Sequence, residues 1–185
     1  MSNNTIIRRL RYIFDFDDNA IMALFALGGR EISHNDLEEW LAIKKGPSLC
    51  SDECLAAFLD GIIHDMRGPK ESSLDNKPAN TQGQHEGPLS NNMILRKLRI
   101  ALNFQTDDML DIFKLMNYEI SKHELSALFR KVGHKHYREC DNQTFYNFLN
   151  GLQLKYRDGT ELKQTFEEEK VCNDDNKDES DVWAR

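Results

Sequence analysis

The sequence predicts an all-α protein made of two tandem, homologous four-helix modules, and three observations carry that prediction. The chain repeats itself: Asn3-Asn4-Thr5-Ile6-Ile7-Arg8-Arg9-Leu10-Arg11 returns as Asn91-Asn92-Met93-Ile94-Leu95-Arg96-Lys97-Leu98-Arg99, at an offset of 88 residues that holds without a gap through Leu37/Leu125. After a two-residue insertion in the second copy, the match resumes at an offset of 90 with Cys50/Cys140, Phe58/Phe148, Leu59/Leu149, Gly61/Gly151 and Arg67/Arg157. Within each copy apolar residues recur at helical spacing. Nothing alternates with period two over a useful length, and Val and Thr are sparse.

Each module reads as four short helices. The first, from about Asn4 to Phe14, lines up Ile6, Leu10 and Ile13-Phe14; its counterpart lines up Ile94, Leu98 and Ala101-Leu102. Asn3 and Asn91 are expected as N-caps, since a short polar side chain accepts from a free N–H of the first turn. The second helix is expected after Asp18 or Thr106, with the stripes Ile21-Leu24-Phe25 and Met109-Ile112-Phe113-Met116. Gly28-Gly29 and Asn117 suit the left-handed turn that ends such a helix. Ser33-x-x-Asp36 and Ser121-x-x-Glu124 have the capping-box layout at the third. The fourth begins after Ser51 or Asp141 and presents Leu55-Phe58-Leu59-Ile62 and Phe145-Phe148-Leu149-Leu152.

Residues 3–68 and 91–157 are thus the modules. Residues 69–90, rich in Pro, Gly, Ser, Asn and Gln, read as a flexible linker. The stretch 158–185 reads as an acidic tail too poor in apolar residues to order itself. A unit of about 66 residues buries little surface alone, so the copies are expected to pack together around one core, related by an approximate two-fold. Charge supports this: residues 1–68 hold 7 basic against 11 acidic residues, and 91–157 hold 11 against 7, so modules of net −4 and +4 attract.

The paired pattern N-N-x-I-L/I-R-K/R-L-R, the capped third helix after E-I-S and the later F-L-x-G-L/I resemble the YehS-type family of uncharacterised bacterial proteins, a duplicated domain of unknown function. The resemblance covers nearly all of both copies. It implies a small cytoplasmic bacterial protein and brings no activity. The long linker and the acidic tail depart from it.

The residues themselves lead to the same compartment. The first fourteen residues lack the apolar core of a signal peptide. No stretch approaches the ~18 apolar residues of a membrane span, and the cysteines lack zinc-finger spacing. Cys50 and Cys140, at equivalent positions, are expected to be small buried hydrophobes. Cys50-x-x-x-Cys54 puts two thiols a helical turn apart, but Thr144 replaces Cys54 in the second copy, so a redox pair is disfavoured. His134-x-His136-x-x-x-Cys140 is the most metal-like cluster; it falls short of a full ligand set, and a solvated basic loop is the plainer reading. No metal and no cofactor are expected.

The second and third helices superficially suggest helix-turn-helix. The first copy places Asp36, Glu38 and Glu39 where phosphates would be repelled. The second is permissive, with Lys122, His123, Arg130, Lys131, His134, Lys135, His136 and Arg138. These eight form the candidate interaction surface. An EF-hand is excluded by the short, acid-poor loop, and phosphate-loop, dinucleotide, hydrolase-elbow and HExxH patterns are absent. The expected function is a non-catalytic interaction module acting on a protein partner, with nucleic-acid binding by the second module as the alternative and an unrecognised enzyme third. Finally, Arg8 and Arg96 lie near helix starts, where a cation is unfavourable; ion pairs Arg8–Glu31 and Arg96–Glu119 are expected to compensate. The alternative for these arginines, with the shared Arg11 and Arg99, is a polar groove common to both copies.

Overall fold

In the computed structural model, which describes residues 1–43, 49–68 and 89–157, each copy starts from a serine and not from the expected asparagine. Ser2 and Ser90 are the extended N-cap residues of α1 (Asn3–Phe14) and α5 (Asn91–Ala101), and the Ser2 hydroxyl accepts from Thr5 N–H. Asn3 and Asn91 are already helical. Their amides reach across the module and donate to the Cys50 and Cys140 carbonyls at 2.9 and 3.0 Å. A cap needs extended backbone, and the serine one residue earlier supplies it.

Both first helices end on a left-handed residue, Asp15 with φ 56° and Asn103 with φ 54°, small polar side chains that tolerate that conformation. The second helices, α2 (Asp18–Leu27) and α6 (Thr106–Leu115), therefore begin one residue earlier than expected, capped by Asp17 and Gln105. They close as expected on left-handed Gly29 and Asn117. The third helices, α3 (His34–Leu41) and α7 (Lys122–Leu128), carry both capping boxes in full. The long helices α4 (Asp52–Arg67) and α8 (Asn142–Tyr156) start from Ser51 and Asp141, which accept from Cys54 and Thr144 N–H. Among the described residues all regular structure is helical. The flexible linker expected over 69–90, apart from Leu89 and Ser90, and the disordered tail expected over 158–185 lie outside the described residues.

Within a copy, α2 packs on α4 and α6 on α8. Phe25 stacks on Phe58 at 5.1 Å between ring centres and tilts against Trp40; Phe113 meets Phe148 in the second copy. The approach is close because the long helix offers a glycine. A Cβ on Gly61 would stand 1.8 Å from the Leu24 carbonyl oxygen, and one on Gly151 2.3 Å from that of Ile112.

Between copies the packing is crossed. The fourth helix of the first module lies on the first helix of the second, α4 on α5, and reciprocally α8 lies on α1. The buried side chains of both copies form one continuous apolar cluster. Polar contacts repeat the exchange. Lys97 bonds Asp60, and the equivalent Arg9 bonds Asn150. Arg67 donates to the Asn103 side chain at 3.0 Å, and the equivalent Arg157 pairs with Asp15. Leu89 N–H donates to Asp52 at 2.8 Å, while the terminal amine of Met1 meets Asn142 at 3.5 Å. Each pair maps onto the other through the repeat offsets, which is what an approximate two-fold requires. The Asn3 amide and Leu89 N–H on Asp52 hold that carboxyl below its usual range.

Candidate functional site

The candidate interaction surface joins the start of α7, which carries Lys122 and His123, to the folded loop that follows it. After α7 the chain doubles back through bonds from His134 N–H to the Lys131 carbonyl, Tyr137 N–H to His134 and Arg138 N–H to Ala127. Of its eight residues only Arg130 is half-buried; the rest are exposed. Two of its charges are answered locally: Lys122 pairs with Asp107 at 2.6 Å and Arg138 with Glu124 at 2.9 Å. Glu124, which also accepts from Ser121 N–H in its capping box, is held below the ordinary glutamate range, first by that backbone bond. Among the described residues, the ion pairs include none of Arg130, Lys131 or Lys135. The basic face is therefore smaller than the sequence suggests, centred on 130–136.

The metal-like cluster divides. The rings of His134 and His136 stand 5.9 Å apart at the surface, and His134 Nδ1 accepts from His136 N–H. Cys140 is 2% exposed, and burial pushes its thiol up to about 12. A ligand must be a thiolate, so this cysteine is poorly suited. Among the described residues no group of three or more His, Cys, Asp or Glu is placed to hold a metal ion. Cys50 is likewise buried, with its thiol pushed up to about 12 first by burial, and Cys50, Cys54 and Cys140 are free thiols. The buried, hydrophobic role expected of Cys50 and Cys140 holds.

The asparagines explain why those cysteines sit there. Asn92 Oδ1 accepts from Cys140 N–H at 2.8 Å, and its amide donates to the Leu128 and Arg138 carbonyls at 2.8 Å each. Asn4 accepts from Cys50 N–H at the same distance. The N-N signature thus ties the first helix of each module to the turn before its fourth, and in the second module it anchors both ends of the basic loop.

The expected ion pairs Arg8–Glu31 and Arg96–Glu119 are corrected. Arg8 donates to the Trp40 and Ala42 carbonyls at 3.3 and 3.4 Å, and Arg96 donates to the Phe129 carbonyl. These carbonyls lie at the ends of α3 and α7, where backbone acceptors lack helical partners and the dipole is negative. A guanidinium near the start of one helix thus caps the end of another. Glu31 and Glu119 stay exposed, and among the described residues the ion pairs include neither expected pairing.

Beside the Arg96 cap lies a groove of about 270 Å³ lined by Arg67, Arg96, Arg99, Asn103, Phe104, Gln105 and Phe129, with Ile100. The Arg99 guanidinium lies over the Phe129 ring at 4.8 Å, and Lys155 sits over Phe104 at the same distance. The sequence offers the shared arginines Arg96 and Arg99 a polar groove as the lesser alternative to ion pairing, and it does not mark the groove's place or its lining. A signal was present: the residues matched to Asn103, Gln105, Thr106 and Lys155 in the first copy are Asp15, Asp17, Asp18 and Asp65.

A family model described as "Protein of unknown function (DUF1456)" matches residues 3–68 and 91–158. The chain is also similar to the "Uncharacterized protein YehS" of Escherichia coli (strain K12), with 36% identity over 157 residues, covering 84% of this chain and 96% of that protein. No solved structure matches.

Proposed function

We propose a function from one premise: the chain belongs to the DUF1456 family, whose role is unknown. Our reading is a non-catalytic interaction module that takes an acidic protein partner on the basic loop of its second copy. The observation that carries it is a fixed cationic surface: Arg130, Lys131 and Lys135 stand on a loop held at both ends by Asn92, among described residues that give them no carboxylate. Preordered charge steers an oppositely charged partner and spares the cost of ordering the loop on binding. The non-catalytic part of the reading is supported by the large thiol shifts falling on buried, capped cysteines away from the groove. A reducing, cytoplasmic setting is part of the proposal. It is supported by the three free buried thiols and by the lack, among the described residues, of a helix long and apolar enough to cross a membrane.

Nucleic acid is the second reading, favoured by the run Arg130, Lys131, Lys135 and disfavoured by the carboxylates that already answer Lys122 and Arg138. One experiment separates them. The full chain and its Lys131→Glu/Lys135→Glu variant are used as baits in cytosol of the source cell, with and without nuclease. A protein retained by the parent, lost by the variant and indifferent to nuclease is expected. Retention abolished by nuclease moves the function to nucleic acid, and equal retention by both baits removes the basic loop from the function.

A further inference from the structure

The arginine groove differs from its counterpart in the first copy in charge and in its rings, with Phe129 matched to Leu41 and Ile100 to Tyr12, and the difference that bears on binding is electrostatic. At the matching site two of the three equivalent guanidiniums meet carboxylates, Arg157 with Asp15 and Arg11 with Asp18 at 2.8 Å, while Arg8 bonds backbone carbonyls much as Arg96 does. In the second copy the matching acids are neutral, Asn103 and Thr106, with Gln105 in place of Asp17 and Lys155 in place of Asp65. The arginines are shared, but the acids at these matched positions are not. The second copy instead carries Asp107 and Asp108 where the first has Asn19 and Ala20, and they are engaged by Lys122 and by Gln105 N–H. Among the described residues, the ion pairs include none of Arg67, Arg96 or Arg99.

Each of the three is nevertheless held in place by a neutral acceptor. Arg67 uses one terminal nitrogen on the Ile100 carbonyl and the Asn103 side chain, both at 3.0 Å. Arg96 uses one terminal nitrogen on the Phe129 carbonyl. Arg99 uses Nε on the Phe104 carbonyl at 3.1 Å and lies over the Phe129 ring. Their bonds to the protein orient the forks and leave further N–H donors on each. Converging, oriented, uncompensated guanidiniums beside two phenyl rings make a site for an oxyanion.

We propose that this groove binds the phosphate group of a small phosphorylated ligand. A carboxylate is planar and is satisfied by one guanidinium, whereas a phosphate monoester offers three acceptor oxygens and nearly two charges to several donors at once. At about 270 Å³ the groove lies just below the common range of small-molecule sites. Lys155, which also lies in the field of Asp111, adds a fourth positive charge behind Phe104. The site is separate from the basic loop proposed above.

The test is calorimetric titration of the full chain at low salt with inorganic pyrophosphate, against sodium glutamate at equal ionic strength and a short RNA oligonucleotide. Saturable one-to-one binding of pyrophosphate is expected. Asn103→Asp/Thr106→Asp, which restores the acids of the first copy, is expected to weaken it at least about tenfold. Arg67→Gln should weaken it similarly and serves if the double variant does not fold, each variant being checked by its melting midpoint. Lys131→Glu/Lys135→Glu should leave it unchanged, so that failure of the basic-loop reading and of this one are told apart. No saturable binding, or equal affinity in Asn103→Asp/Thr106→Asp, overturns the site. Equal affinity for glutamate overturns the phosphate class, and tighter RNA binding overturns the small ligand.

Discussion

At the scale of single residues, the most informative positions are the buried asparagines. Asn92 is 4% exposed and serves one backbone donor and two backbone acceptors. Replacing it by alanine strands all three, and a buried polar group without a partner costs about 1–3 kcal/mol. Asn92→Ala should therefore lose about 3 kcal/mol in equilibrium urea unfolding. Asn92→Asp, which keeps the acceptor for Cys140 N–H but brings no donor for the two carbonyls, should lose nearly as much. A loss within experimental error for either would show that the loop does not depend on this residue. The sequence exposed the repeated Asn-Asn pair but not its task, because periodicity reports which residues face inward and not which backbone groups lack partners. The same holds for Arg8 and Arg96. Their repetition was plain, while the helix ends they cap lie 33 residues or so further on, beyond any local pattern.

At the scale of elements, helix identity and the capping boxes were legible because each depends on neighbours within four residues. Starts were misread where two polar residues competed for one cap, as with Ser2 against Asn3. What the sequence left silent was how near the helices come. Gly61 and Gly151 appear in it only as a shared letter, yet they let α4 and α8 lie against the backbone of α2 and α6. Gly61→Ala would drive a methyl to within 1.8 Å of a carbonyl oxygen, so the helix pair must separate, at about 1–3 kcal/mol or more. Gly29→Ala meets no atom within 4 Å and bears only the strain of φ +82°, about 1–2 kcal/mol. Denaturant melts of the two variants should rank Gly61→Ala as the more damaging. The reverse order would mean that the α2–α4 contact is loose.

At the scale of the molecule, the crossed packing decides what can stand alone. In a fragment of residues 1–68, α4 loses α5 and α1 loses α8, and the remaining unit has too little core for its size. Circular dichroism of that fragment should show a far less stable species than the full chain, and adding a fragment of residues 89–157 should recover helix and cooperativity. Unfolding of the isolated fragment at the full-length midpoint would show that the modules are independent. The joint core was legible from the size of the repeat and its opposite charges. The groove was legible only as a polar groove around shared arginines; its place and lining were not, because its residues come from α4, α5 and the turns after α5 and α7. Only a position-by-position subtraction of one copy from the other, Asp15 against Asn103 and Asp18 against Thr106, points to it.

The reciprocal contacts of α1 with α8 and α5 with α4 are those of a homodimer carried on one polypeptide. In a dimer of identical chains every substitution appears twice, so a charge removed from one groove is removed from both. Fusion lifts that constraint. One half can carry carboxylates beside its arginines while the other carries neutral side chains at the matched positions, and a nearly symmetric scaffold has a front and a back.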